Sequence, residues 1–175
     1  MKTFLFGFAV LFSIACIGHA AEEAPVEKQA GYVDFGELAE AYGEPRVMIN
    51  IGSSLLRLVN AIKHEDPVAE QILRDMQSIR VHVYDTHGNL APAKGRIDRV
   101  RSQLADDNWE LIVHSREGGE QVEIFVKQDE VRIHGLAVMA VDSEEAVFIN
   151  VLGSIDPEQL ATVVAKLDVD VDLDL

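Results

Sequence analysis

The chain has 175 residues, with 15 Lys plus Arg against 30 Asp plus Glu and a formal net charge of −15 at pH 7. Such acidity repels a phosphate backbone and argues against nucleic-acid binding, which usually shows a basic footprint. The one cysteine, Cys16, rules out a disulfide within the chain, so stability must come from packing.

Met1-Lys2-Thr3 opens the chain and an apolar run from Phe4 to Ile17 follows. A single positive charge, that run, and the small residues Gly18 and Ala20 around His19 form the three-part pattern of a secretory signal, with cleavage expected after Ala20. The run is shorter than the ~20 apolar residues a membrane-spanning helix needs. Ser13-Ile14-Ala15 before Cys16 loosely matches a lipoprotein site, but a large aliphatic residue is missing three places before the cysteine. Ordinary cleavage is therefore expected, with lipidation at Cys16 as the alternative. The expected location is the periplasm or cell envelope of a Gram-negative-type bacterium. Cleavage leaves 155 residues, enough for one domain, and removes the only thiol.

Residues 21–30 (AEEAPVEKQA) are polar and charged and read as a flexible linker. The domain is expected over 31–167. Residues 47–51 form a short aliphatic strand, ended by Gly52-Ser53-Ser54, whose hydroxyls can cap a helix over 55–63. That helix carries so many apolar residues that it is expected to be buried. Asp66-Pro67 opens a second helix with Val68, Ile72 and Met76 in one stripe. Residues 78–85 alternate as a strand, His87-Gly88-Asn89 is a loop, and 92–105 is a third helix with Ile97, Val100 and Leu104 inward. Strands follow at 109–116, 121–127, 131–141 and 146–152, joined by short polar turns that require antiparallel neighbours. Asp156-Pro157 opens a last helix with Leu160, Val163, Val164 and Leu167 on one face. The alternating tail at 168–175 reads as an acidic tail or an edge strand. It lacks the glycine and glutamate that a calcium loop needs at its sixth and twelfth positions. The expected class is α+β: one domain, an antiparallel meander with helices packed against it.

Gly31-Tyr32-Val33-Asp34-Phe35, Ile79-Arg80-Val81-His82-Val83-Tyr84, Trp109-Glu110, His134-Gly135-Leu136-Ala137-Val138-Met139 and the stretch from Phe148 to Leu160 resemble a bacterial exported family catalogued as domain of unknown function 4252. The resemblance covers nearly all of 31–167. It implies an envelope location and, through frequent encoding near alternative sigma factors, a link to envelope stress signalling. It implies no catalytic residue.

Two-residue turns at Gly118-Gly119 and Gln128-Asp129 would place His114, Glu123 and His134 in one row across three strands. Two imidazoles flanking a carboxylate is a set that zinc or iron can use. The same face carries Glu110, Arg116, Lys127 and Arg132, so the simpler expectation is a solvated face with cross-strand ion pairs. The opposite face, with Trp109, Leu111, Val113, Val122, Ile124, Val126, Ile133, Met139 and Phe148, is expected to be core. Asn150 shares that parity, and a buried amide there must find backbone partners or a ligand. Lys94, Arg96, Arg99 and Arg101 gather four cations on the third helix, a surface for an anionic lipid or an acidic partner, or a solvated face. No Ser-His-Asp signature and no phosphate loop is present, and Gly52-Ser53-Ser54 is explained by capping.

The functional expectation is a non-catalytic envelope module that binds an envelope protein, with no cofactor. The alternative is a metal-dependent binder or enzyme using His82, His114, Glu123 and His134. Membrane association is expected only through a lipidated Cys16 or the basic helix.

Overall fold

In the computed structural model, residues 25–36, 38–60 and 67–158 are described. The expected signal segment, the last helix beyond Glu158 and the 168–175 tail lie outside them. Among the described residues, four α-helices and six strands follow in chain order: α1 (Ala39–Tyr42), β1 (Val47–Gly52), α2 (Ser53–Asn60), α3 (Pro67–Asp75), β2 (Met76–Asp85), α4 (Ala91–Asp106), β3 (Glu110–Glu117), β4 (Glu120–Gln128), β5 (Ile133–Val141) and β6 (Glu145–Ile155). The strands form one antiparallel sheet in the order β1-β2-β6-β5-β4-β3. After α4 the chain crosses to the far edge and returns as a meander from β3 to β6, which docks beside β2. The fold is α+β in a single sheet.

Each face of the sheet has its own chemistry. On one face, α4 lays Ala93, Ile97, Val100 and Leu104 onto Phe125, Ala137, Met139, Phe148 and Tyr84. Tyr42 secures the start of α4: its hydroxyl accepts from the Ala93 N–H at 3.0 Å and donates to the Asn89 carbonyl at 2.7 Å. The other face is aliphatic from β1 to β4. Its rows read Val47, Val83, Val147, Ala140, Val122; then Ile49, Val81, Ile149, Val138, Ile124; then Ile51, Ile79, Val151, Leu136, Val126. Ile72 of α3 packs at one end of it, with Val126, Ile133 and Ile155.

Val122, Ile124 and Val126 were expected to share a core face with Met139 and Phe148; the sheet separates them. Gln128 pairs with Ile133, so the β4–β5 turn spans 129–132 instead of two residues. Asp129 accepts from the Val131 and Arg132 N–H groups, both at 2.8 Å, and holds that longer turn. That turn alone shifts β5 by four residues, and the bulge at His134, between Ile133 and Gly135, adds one more, so the β5 register moves by five. An odd shift exchanges the faces.

A segment that the sequence read only as the start of the domain closes the α4 face. After a 3-10 turn at Val26–Lys28, within the expected linker, the chain crosses the sheet with Val33 and Phe35 buried. At the crossing, Gly31 and Gly135 touch backbone to backbone. A Cβ on Gly135 would sit 2.6 Å from the Gly31 Cα and 2.7 Å from the Trp109 ring, so only glycine fits. The expectation that α2 is buried is also corrected. Leu56 is buried, but Leu55 and Leu58 are 46% and 64% exposed, because α2 lies over the sheet margin at β1 and β2.

Candidate functional site

Asn150 is fully buried and its amide is satisfied by backbone. Its Oδ1 accepts from the Val33 N–H at 3.0 Å, and its Nδ2 donates to the carbonyls of Gly31 at 2.9 Å and Leu136 at 3.2 Å. It fastens the crossing segment to the sheet. Arg80 assists, donating to the Val33 carbonyl at 3.1 Å with its guanidinium stacked 4.6 Å from the Tyr32 ring centre.

The expected His114, Glu123, His134 row is only half formed. His114 faces Glu123, with Nδ1 3.2 Å from Oε1, but the register puts Met139 opposite Glu123 on the next strand. His134 instead meets Asp129, Nε2 to Oδ2 at 2.7 Å. That hydrogen bond, with the Val131 and Arg132 N–H groups, lowers the Asp129 pKa to about 2. Among the described residues, no group of three or more His, Cys, Asp or Glu is placed to hold a metal ion.

Glu123 was expected on a solvated face and is fully buried beneath α4. Arg101 reaches in from α4 with a two-pronged pair to the carboxylate, Nε to Oε2 at 2.9 Å, and Gln121 adds Nε2 to Oε1 at 3.1 Å. Arg101 also holds Asp98 at 2.8 Å, and Arg116 approaches Asp98 at 3.6 Å. The Glu123 hydrogen bond is the main reason the Arg101 pKa is raised. The four cations of α4 therefore do not form one patch: Arg101 turns inward, Arg96 lies against Gly36, Lys94 is half-buried and Arg99 is exposed.

A groove of about 880 Å³ opens beside the crossing segment, lined among others by Tyr32, Met48, Asn50, Ser78, Arg80 and His82. Burial, and then the nearby Arg80 charge, lower the His82 pKa.

The groove borders β1, the edge of the sheet. Among the described residues, the backbone of residues 47–51 pairs only with β2, leaving the outward N–H and C=O groups open. From Val47 to Leu56 (VMINIGSSLL) there is no charge. Val47, Met48, Ile49, Leu55 and Leu58 are all exposed, and they account for five of the eight exposed large hydrophobics among the described residues. The opposite edge, β3, has a bulge at Ile112 and carries Glu110, Arg116 and Glu117, the usual devices that discourage strand addition. The sequence reading missed this contrast, although the uncharged decapeptide was its visible signal.

The architecture is that of a small α+β domain whose described polar clusters hold the fold and whose open surface is a strand edge. Residues 42–163 match the family described as a domain of unknown function (DUF4252), more than half of the chain, and the chain belongs to that family. No curated protein matches the chain.

Two outcomes follow. Arg101→Met strands a buried carboxylate and is expected to cost about 2–4 kcal/mol in urea unfolding, below the top of the buried-pair range because Arg101 is partly solvated. Adding Glu123→Leu should restore most of the loss; an Arg101→Met chain as stable as the parent would contradict the role given to the pair. Because the folded His82 pKa is lowered, the unfolded chain binds more protons between that value and about 6.5. Stability should therefore fall as pH drops below about 6.5, and His82→Gln should flatten that dependence in unfolding curves taken from pH 7 to 5.

Proposed function

We propose that the chain is a non-catalytic, regulatory protein-binding module of the cell envelope, exported by its N-terminal segment and docking its partner on the β1 edge and the adjoining face of α2. The observation that carries this reading is the uncharged, unpaired β1 edge flanked by exposed Met48, Leu55 and Leu58. Strand addition takes its affinity from backbone hydrogen bonds and its specificity from alternate side chains. Here those side chains would meet aliphatic rows on one face and the Asn50, Arg80 and His82 groove on the other. The buried clusters support the same reading: Asn150 spends its amide on backbone, and Glu123 is neutralised by Arg101. Export is supported by the Lys2 and apolar-run pattern at the N-terminus.

Site-specific photocrosslinking in an exporting bacterium tests this. A benzophenone side chain at position 48 or 58 should yield one discrete protein adduct, and the same group at position 112 on β3, of similar exposure, should yield none. Equal adducts at all three positions, or none at 48 and 58, would overturn the reading.

A further inference from the structure

We propose that the partner on this edge is a second copy of the chain, with β1 pairing antiparallel to β1 about a two-fold axis at Ile49. The inference rests on the reading of β1 and α2 as an interface and names its occupant.

The chemistry of the edge is self-complementary. A two-fold axis pairs residue i with j and j with i. Directly opposite residues in an antiparallel pair share a face, so each face must continue across the junction. Only registers pairing odd with odd positions keep the aliphatic rows together. Pairing Ile49 with Ile49, and Val47 with Ile51 in both directions, gives three aliphatic cross-strand pairs. It leaves Met48 opposite Asn50 on the groove side. Moving the axis to Asn50 keeps only two aliphatic pairs, because Val47 would then face Ser53, where α2 begins. The first register is the one we assign.

The surroundings agree with it. No charged side chain lies between Arg46 and Arg57, so no like charges meet across the axis within the ladder. The Arg46 side chain is held away, its Nε 2.9 Å from Asp85 and its Nη2 paired with Glu145. The helix α2 follows β1 directly, and its exposed Leu55 and Leu58 provide an apolar flank that the ladder alone lacks. One sheet would then run through both copies, and two open β1 edges would be removed.

Disulfide trapping in a Cys16→Ser chain tests the register. Opposite residues stand about 4.5–5.5 Å apart at Cα, within reach of a disulfide. Ile49→Cys should form a covalent dimer on mild oxidation. Ile51→Cys alone should not, since the two copies of position 51 lie four residues out of register, about 13 Å along the strands. A mixture of Val47→Cys and Ile51→Cys chains should crosslink to each other. Without cysteines, light scattering should give twice the chain mass, and Ile49→Lys or Leu58→Glu should halve it while leaving thermal unfolding of the fold intact. A single-chain mass at every concentration, or Ile51→Cys crosslinking to itself as readily as Ile49→Cys, would overturn the proposal. If the chain stays single while position 48 still captures a different protein, the second-copy assignment fails and the binding-module reading stands.

Discussion

The fold depends on the three hydrogen bonds of one buried amide. A sheet with a helix on one face has to close the part of that face the helix leaves uncovered. The crossing segment from Gly31 to Phe35 does so, and Asn150 of β6 is what holds it down. Because the amide both accepts and donates, removing it would orphan the buried Val33 N–H and the Gly31 carbonyl together, at about 1–3 kcal/mol for each unpaired group. The Gly31 and Gly135 contact brings the segment close enough for those bonds to form. The same segment forms one wall of the groove beside β1.

The two edges of the sheet are treated differently. At β3 a bulge and several charges interrupt the ladder, whereas β1 presents five consecutive uncharged residues to the outside. Polar groups within the domain follow the opposite rule, with Glu123, Gln121 and Asn150 buried and bonded. The Arg101 and Glu123 pair ties α4 to the sheet, so groups that resembled a site in the sequence serve as joints between elements. At the β1 edge, what stays open is backbone polar groups and aliphatic side chains.

Much of this architecture was legible in the sequence. Strand alternation and short polar turns placed β1 to β6 to within a few residues, and the Gly118-Gly119 turn, with φ of 59° and 98°, put His114 opposite Glu123. What was not legible was the length of one turn and the bulge that follows it. Gln128-Asp129 looks like a two-residue connection, but the Asp129 side chain organises a turn over 129–132, and the one-residue bulge at His134 that follows makes the total shift odd and exchanges the faces of β5. From that one displacement came both the expected His134 position and the expectation that Glu123 was solvated. Periodicity likewise counted the leucines of α2 correctly but carried no information on how much of the sheet the helix would cover. The role of Asn150 was legible as a need for backbone partners, one of which is the nearby Leu136 carbonyl, but not as the fastening of the crossing segment, since Val33 and Gly31 lie 117 and 119 residues away.

Amide hydrogen exchange on dilute chain, below any self-association, tests the central claim that the buried polar groups hold the fold while β1 is left open. The Val33 amide, bonded to Asn150, should exchange only on global unfolding, and the alternate outward amides of β1 should exchange at nearly unprotected rates. Fast exchange at Val33, or protection of every β1 amide in the single chain, would contradict it.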